Sequence, residues 1–379
     1  MHRSNRILIP VFISLLFLTA CQTLPINGRL PDGLIAEKVA SVDKGSAFAV
    51  SPDGNVVAIG SDGLTLLHIP SKESLPLGER VPLKLAWSPF GYSLAAIYAK
   101  DGQSSMVIYD QHGIQIAESA VKASLTSISW LSEDELVAGG FRVASYKFGS
   151  NYQSLCFNWK PGRDKPIENS LRDTTLLPGT FARWKVLLER GPQLDLSARS
   201  GTLLYLHPID PPLFSPYYKL IMKDLASGQE LEVASVGFNS AGGRFSADGE
   251  KILYSDGSGT TLLYNPWTEE HLRKINTAGQ SPALSPEGEN WVSDGALFRK
   301  DRAVLPLADG AEAEFSLDGS RLMLRGGGAL YLLSGLKPAE GTLFVPAVAE
   351  KVAKLRSMRL QGLITPKEYK ENLLKVTAP

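Results

Sequence analysis

The chain contains five histidines, and none of them has the spacing of a metal ligand or lies beside a nucleophile motif: His2, His68, His112, His207 and His271. The sequence also has no Gly-x-Ser-x-Gly elbow, His-Glu-x-x-His motif, phosphate-binding Gly-x-x-x-x-Gly-Lys-Ser/Thr loop or dinucleotide-binding glycine pattern. We therefore predict no catalytic, metal-binding or cofactor-binding residue from linear motifs.

A site could still draw its residues from distant parts of the chain. Asp62, Asp101, Asp256 and Asp294 each follow a predicted strand, so they could reach a common face. Each also precedes a glycine, and an Asp-Gly pair is typical of a tight turn, which is the simpler interpretation. An enzyme or small-ligand binder at a channel mouth, such as a metal-assisted hydrolase, is thus the alternative function. It would require a convergent polar cluster.

Cys21 is the one residue for which the sequence predicts a modification. Residues 1–20 have the features of an export signal, with a positive start at Arg3 and Arg6 and an apolar core too short to span a bilayer. Leu18-Thr19-Ala20-Cys21 resembles the lipobox of bacterial lipoproteins. The resemblance implies cleavage before Cys21, a diacylglyceryl group on its thiol and acylation of its new amine. A plain secretory signal with a chance cysteine is the alternative.

Several acyl chains on one residue would anchor the protein stably, because a single chain binds only marginally. Gln22 stands where an aspartate would resemble an inner-membrane retention signal. We therefore predict attachment to the bacterial outer membrane, on the periplasmic face rather than the cell surface. Residues 21–34 then form a lipidated tether. Lipidation of Cys21 leaves Cys156 as the only free thiol, so we expect no disulfide and a buried Cys156.

The charge balance argues against a nucleic-acid partner. Removal of residues 1–20 takes away two arginines and no acidic residue, which leaves 37 bases and 39 acids. Such a chain offers no basic field for nucleic acid.

A repeated sequence motif predicts the strands and turns that would position any site. An apolar run enters a Ser-x-Asp-Gly-like turn, and a second apolar run follows. Ser and Pro suit the first half of a tight turn, Asp can bond its own backbone, and Gly takes the positive-φ position. The flanking runs are too short for helices and are typical of strands in a hairpin. Clear copies contain Ser51, Ser88, Ser246, Ser285 and Ser316, and weaker copies contain Ser132 and Ser197.

Several copies of the motif are followed by a second hairpin, in which an apolar strand leads into a polar turn at Asp or Asn, as in residues 106–113, 220–231 and 262–269. Two hairpins supply the four strands of a propeller blade. Seven copies in residues 35–345 give about 44 residues per blade, the usual length. The predicted fold is an all-β propeller of seven four-stranded blades, with six or eight blades, or a β-sandwich, as alternatives. The long interval after Ser132 predicts an insertion or another blade in residues 148–193.

Residues 35–345 resemble the WD-type and Tol-system propeller repeats, through the Ser-Pro-Asp-Gly turn at residues 51–54 and the outer hairpin Asp-Leu-Ala-Ser-Gly-Gln-Glu-Leu at residues 224–231. The Gly-His and Trp-Asp dipeptides of the eukaryotic version are absent, so the bacterial families fit better. The resemblance implies a fold and not a function, because propellers include scaffolds, hydrolases and ligand sensors.

Residues 348–379 have a helical period and form a separate module. Gly362 ends a first helix, and Thr365-Pro366-Lys367-Glu368 supplies an N-cap, a first-turn proline and a capping box for a second. The unit resembles the SHOCT family (short C-terminal domain), with Asn372 in place of a usual basic residue. That resemblance implies oligomerisation or docking. The matching residues are Leu355, Gly362, Leu363, Ile364, Thr365, Glu368 and Tyr369.

We expect the docking surface of this hairpin to contain Leu355, Ile364, Tyr369 and Leu373, with self-association as one outcome. The hairpin should then be detachable, and truncation after Pro346 should leave thermal stability nearly unchanged. The alternative is that the hairpin packs on its own propeller. Residues 342–345 are expected to close the ring beside an N-terminal strand near residues 34–42.

These features predict a lipid-anchored, periplasm-facing propeller that acts as a non-catalytic protein-interaction platform in a cell-envelope assembly. Its partners would be the membrane, through Cys21, and other envelope proteins, without a cofactor. A rigid disc with loops on two faces suits docking of several partners. A purely structural contact with cell wall or polysaccharide is a third possibility.

Overall fold

The computed structural model describes residues 28–336 and 351–377, apart from gaps inside these ranges at 44, 101–102, 147–148, 177–187, 190, 198–199, 210–216, 238, 241, 247–248, 277–282, 286–287, 294–295, 300–301, 308–310, 317–318, 352–353, 357 and 360. Cys21 and the export signal lie outside the described residues, and so do Asp101, Asp294 and residues 342–345.

The described strands form seven antiparallel sheets arranged as the blades of a propeller. We call the strands of each blade a to d, from the central channel outward. Blades 1 to 3 consist of β3 (Ala47–Val50), β4 (Val56–Gly60), β5 (Leu64–His68) and β6 (Ser74–Gly78); β7 (Lys84–Trp87), β8 (Ser93–Lys100), β9 (Gln103–Asp110) and β10 (Gln115–Val121); and β11 (Ser124–Trp130), β12 (Leu136–Tyr146), β13 (Gly149–Trp159) and β14 (Ile167–Leu176).

The remaining four blades complete the ring. They consist of β15 (Asp195–Ser197), β16 (Thr202–Ile209), β17 (Tyr217–Asp224) and β18 (Glu230–Val236); β19 (Gly243–Phe245), β20 (Ile252–Ser255), β21 (Thr260–Asn265) and β22 (Glu270–Asn276); β23 (Ala283–Leu284), β24 (Asn290–Ser293), β25 (Ala296–Arg299) and β26 (Arg302–Pro306); and β27 (Glu312–Phe315), β28 (Leu322–Gly326), β29 (Ala329–Ser334), β2 (Ile35–Ser41) and β1 (Gly28–Arg29). The predicted seven-bladed propeller is confirmed, and the six-bladed, eight-bladed and sandwich alternatives are excluded.

The ring closes by pairing the two ends of the propeller chain. β2 pairs with β29, with Ile35 opposite Ser334 and Ser41 opposite Ala329. The N-terminal strand was predicted near this position, and its predicted partner, residues 342–345, lies outside the described residues. Residues 329–334 are the third strand of blade 7, so the N-terminal strand supplies the fourth. Strand β27 then contacts β3 of blade 1 and completes the circle.

The seven copies of the repeated motif form the turns between strands a and b of the seven blades. In the five clear copies the Ser backbone N–H donates to the carbonyl five residues later at 2.8–3.0 Å, and the Ser hydroxyl accepts the N–H of that same residue at 2.9–3.0 Å. The glycine N–H donates back to the Ser carbonyl at 2.8–2.9 Å. Its φ lies between 68° and 78° in all five turns, which favours glycine. Turn chemistry therefore accounts for the repeat.

The long interval after Ser132 contains no additional blade among the residues that the structure describes. Blade 3 has instead three long strands, β12 and β13 of 11 residues and β14 of 10 residues.

Neighbouring blades pack through apolar side chains and are joined by indole hydrogen bonds. The Trp87 Nε1–H donates to the Ala49 carbonyl at 3.2 Å, and the Trp130 Nε1–H donates to the Ala86 carbonyl at 3.0 Å. Cys156 is buried, as expected, and burial raises the pKa of its thiol to about 11. It is therefore an apolar core side chain and not a reactive thiol.

Two helical segments follow the propeller. Residues 351, 354–356 and 358–359 are helical, and helix α1 (Pro366–Thr377) comes after Gly362. The predicted capping box is present: the Glu368 N–H donates to the Thr365 hydroxyl at 3.2 Å, and the Thr365 N–H donates to the Glu368 carboxylate at 2.8 Å. Within the part of the chain that is described, neither segment is long and apolar enough to cross a bilayer.

Candidate functional site

The central channel is the first candidate site, because charged residues from different blades lie on the strands that surround it. The innermost strands supply Lys84, Asp195, Arg244 and Glu314. The Phe245 N–H donates to the Asp195 carboxylate at 2.7 Å, and burial raises the pKa of Asp195. Burial and the nearby Arg244 lower the pKa of the Lys84 side chain. Opposite charges thus balance one another around the channel.

This channel does not support the hydrolase alternative. No group of three His, Cys, Asp or Glu side chains could hold a metal ion in the described part of the chain. His207 is also accounted for by packing, because it is buried and its ring nitrogens contact the hydroxyls of Ser154 and Thr174. Burial lowers the pKa of His207 to about 4, so the ring is neutral.

Glu314 is expected to make stability depend on pH. Burial raises its pKa from 4.5 to about 7, while a hydrogen bond from the Val50 N–H and the charges of Arg244 and Lys84 partly oppose that shift. The folded state therefore binds this proton more tightly, and the resulting stabilisation is present below pH 4.5 and lost as the pH rises through 7. In urea unfolding at pH 5 and pH 8, Glu314→Gln should reduce the fall in stability by about 2 kcal/mol. Glu73→Gln, at an exposed glutamate, is the control. An unchanged fall in the Glu314→Gln variant would contradict the prediction.

The two described aspartates among the four predicted candidates are turn residues. The Asp256 carboxylate accepts the N–H groups of Ser258 and Thr260 at 2.8 and 3.0 Å. Asp62 lies in the turn between β4 and β5, beside an open groove between β2 and blade 1. The simpler interpretation is therefore confirmed for Asp256, and Asp62 lies where that interpretation places it.

The C-terminal hairpin lies on one face of blade 5. The contact is made by the a–b turn, which contains Glu250, and by the c–d turn, which contains Trp267. Tyr369 is fully buried and stacks on Trp267 with ring centroids 5.9 Å apart. Its hydroxyl donates to the Glu250 carboxylate at 3.1 Å. The Trp267 indole N–H donates in turn to the Gly249 carbonyl at 2.7 Å, which fixes the ring beneath the hairpin.

Ion pairs surround this aromatic contact. Arg356 is only 2% exposed, pairs with Glu250 and lies 5.4 Å from the centroid of the Trp267 ring. Burial alone would lower the pKa of Arg356, but Glu250 raises it, so the guanidinium stays charged. Further out, Arg359 pairs with Glu269 and Lys370 pairs with Glu270 at 2.9 Å. We call Glu250, Trp267, Glu269 and Glu270 the hairpin seat.

This contact corrects the expectation for the hairpin. Leu355, Ile364, Tyr369 and Leu373 were expected to dock a partner, but they pack against the apolar core of the propeller. A short helical hairpin buries too little surface by itself, and blade 5 supplies the missing apolar partner. The alternative, packing on the chain's own propeller, is the one that the structure has.

A different surface is exposed on blade 2, and sequence reasoning missed it. Phe90 and Tyr92 lie in the a–b turn with 73% and 62% of their surface exposed, and Ile114 in the c–d turn is 62% exposed. The two aromatic rings are 6.2 Å apart. We call these three residues the blade 2 patch. A comparison of the repeat copies could have found it, because Phe90 and Tyr92 stand where the first copy has Asp53 and Asn55.

The blade 2 patch is held by both neighbouring blades. The Phe90 N–H donates to the Glu133 carboxylate of blade 3, and Gly91 lies against Pro52 of blade 1, where a Cβ would approach the proline ring to 3.3 Å. Gly91 also has a φ of 78°. The turn thus presents its aromatic side chains from a fixed backbone, and exposed aromatic residues of this kind are typical of interaction sites.

Comparisons with solved structures support the fold. The β-propeller domain of Cps50 (Swd1) from Myceliophteria thermophila covers 79% of this chain and 99% of its own, with 13% identity and a TM-score of 0.53. Hydrazine synthase from Kuenenia stuttgartiensis covers 79% and 98%, with 15% identity and a TM-score of 0.53. The Dos1 propeller covers 80% and 95%, with 12% identity and a TM-score of 0.52.

At these identities the similarity concerns the fold alone, which is that of a WD-type β-propeller. No family model and no curated protein matches the chain. The resemblances to lipoproteins and to the SHOCT family therefore stay predictions.

Proposed function

We propose that this protein is a non-catalytic interaction platform, anchored by lipid at Cys21 and assembled with other proteins of the bacterial cell envelope. The observation that carries the proposal is the blade 2 patch, in which Phe90 and Tyr92 are exposed on a turn fixed by two neighbouring blades. Aromatic side chains on a rigid backbone lose little entropy on binding, so they suit protein recognition. The balanced channel charges give no comparable support to catalysis.

Membrane attachment through Cys21 rests on the sequence. The Leu18-Thr19-Ala20-Cys21 segment follows an apolar core, and the chain without residues 1–20 is near neutral, so it offers no basic field for nucleic acid. The periplasmic face of the outer membrane is the proposed location. Self-association through the hairpin would use its outer side, where Leu363 is 65% exposed, because its inner side contacts blade 5.

Cys21→Ser should abolish membrane attachment. Without the thiol no acyl chain can be added, and the apolar core of residues 7–18 is shorter than the roughly 20 residues that a membrane span requires. The measurement is fractionation of cells, followed by high-salt washing of the outer membrane. The variant should appear as an uncleaved or soluble form. Its retention in the washed outer membrane would contradict the lipoprotein proposal.

The platform function predicts protein partners that depend on the blade 2 patch. Phe90→Ser/Tyr92→Ser should lose the proteins that the wild type recovers from membranes with a cleavable cross-linker. Val81→Ser is the matched control, because Val81 is 53% exposed in the connection between β6 and β7, on the opposite face. Recovery of no specific protein by the wild type would count against a platform function.

A further inference from the structure

The blade 2 patch occupies the same place in blade 2 that the hairpin seat occupies in blade 5. Tyr92 comes four residues after Ser88, as Glu250 comes four residues after Ser246. Alternate turns of an antiparallel blade lie on alternate faces, so the a–b and c–d turns of both blades lie on one face of the ring. Both surfaces are thus formed by equivalent turns on that face.

The c–d turns of the two blades are also alike. The Asp110 carboxylate accepts the N–H groups of His112 and Ile114 at 2.9 and 2.8 Å. The Asn265 side chain accepts the N–H groups of Trp267 and Thr268 at 2.9 and 3.1 Å. Ile114 therefore holds the position that Glu269 has in the hairpin seat.

The hairpin seat shows which chemistry this kind of surface binds. Residues 351–377 contain seven lysines and arginines but only two glutamates. Their apolar side contacts Trp267 and the core, while three of their basic side chains pair with Glu250, Glu269 and Glu270. Blade 5 thus binds a basic amphipathic helical segment through an aromatic centre and an acidic rim.

The blade 2 patch also has an acidic rim. Asp53, Asp110 and Glu133 lie in the a–b turn of blade 1, at the c–d turn of blade 2 and in the a–b turn of blade 3. Among the described residues, none of the three has a lysine or arginine within 4.0 Å. An aromatic centre surrounded by carboxylates that have no lysine or arginine partner in the described part of the chain is complementary to a partner that is apolar and basic.

We infer that the blade 2 patch binds a basic amphipathic helical segment of another protein, in the manner in which blade 5 binds the C-terminal hairpin of its own chain. The inference rests on the proposed platform function and names the chemistry of its partner. Phe90, Tyr92 and Ile114 contact the apolar side of that helix. Asp53, Asp110 and Glu133 face its lysine and arginine side chains.

The test uses the full chain with Cys21→Ser, so that no acyl chain competes for an apolar probe. The probe is a fluorescent helical peptide of about 20 residues with leucines on one side and lysines on the other. A second peptide has glutamates in place of the lysines. We expect the lysine peptide to bind, with an affinity that falls as salt rises, and Phe90→Ser/Tyr92→Ser to weaken it at least about tenfold. Val81→Ser should bind like the parent chain.

Two further variants separate charge from apolar contact. Glu133→Gln should weaken binding of the lysine peptide without changing the circular dichroism of the blades, whereas Glu73→Gln should not. Equal binding of the two peptides, or equal binding by the parent chain and Phe90→Ser/Tyr92→Ser, would overturn the inference. Dimerisation of the parent chain that the same double substitution abolishes would assign the patch to a second copy and would overturn it as well.

These outcomes are distinguishable from failure of the platform function. If membranes yield partners that do not depend on Phe90 and Tyr92, the platform stands and this inference fails. If membranes yield no partner at all, the proposed function fails, whatever the peptide does.

Discussion

Glu250→Ala is expected to release the C-terminal hairpin from blade 5. The Glu250 carboxylate pairs with Arg356 and accepts the Tyr369 hydroxyl, and both partners are buried. Removal of one member of a buried ion pair typically costs about 3–5 kcal/mol, because the other charge stays buried without it. The hairpin follows the last strand of the propeller and belongs to none of the seven sheets, so it can leave its seat without unfolding a blade. The loss of stability is therefore limited to the free energy of docking.

Hydrogen exchange measures this release directly. Backbone amides in residues 351–377 should lose protection in Glu250→Ala, while amides of the long strands in blade 3 should keep theirs. Glu270→Ala is the control, because Glu270 pairs with Lys370 where both side chains are about half exposed. Exposed pairs contribute little, so this variant should keep the hairpin protected. Equal loss of protection in both variants would show that burial of the ion pair is not what holds the hairpin.

The fold could be predicted from the sequence because most of its a–b turns are determined by residues that are close together in the chain. In five of the seven blades the a–b turn is specified within six residues, by a serine that bonds the backbone five residues later and a glycine with positive φ. These five turns, together with the weaker copies at Ser132 and Ser197, therefore predict seven blades. The capping box at Thr365 and Glu368 is equally local, and it was predicted for the same reason.

The position of the hairpin could not be predicted, because the contacts that decide it are distant in sequence. Arg356 and Glu250 are 106 residues apart, and Tyr369 and Glu250 are 119 residues apart. An amphipathic helix shows that an apolar partner exists, but its pattern is the same whether that partner is its own chain or another. The same ambiguity applies to ring closure, where Ile35 pairs with a strand almost 300 residues away in sequence.

The blade 2 patch could be predicted only in part. Exposed aromatic residues cannot be distinguished from core residues by type alone, since Trp267 is fully buried and Phe90 is mostly exposed. Position in the repeat makes the distinction. A turn site that holds Asp53 in one copy faces solvent, so an aromatic residue at that site in another copy faces solvent too.

The charged channel residues were missed because strands such as β15 and β19 have only three residues, too few to show which side faces the channel.

Truncation after Pro346 is the second change with a large expected effect, and the structure reverses its sequence-based outcome. The truncation removes fully buried Tyr369 and the contacts of Leu355, Ile364 and Leu373, and it exposes Trp267. Burial of each large apolar side chain contributes about 1.5–3 kcal/mol, and ordering the hairpin offsets part of that gain. A net docking energy of about 3 kcal/mol would lower the melting temperature of the propeller by roughly 5 °C.

Differential scanning calorimetry of the truncated and complete chains measures this change, and tryptophan fluorescence should shift to the red as Trp267 becomes exposed. Thr365→Ala is the graded control, since loss of an N-cap costs about 1 kcal/mol of local helix stability and leaves the seat intact. A peptide of residues 351–377 added in trans should restore part of the lost stability, because binding to the folded state alone raises the melting temperature. If truncation leaves the melting temperature unchanged and the peptide does nothing, the hairpin does not stabilise the blades. The sequence-based expectation of a detachable docking element would then hold, although Tyr369 contacts Trp267.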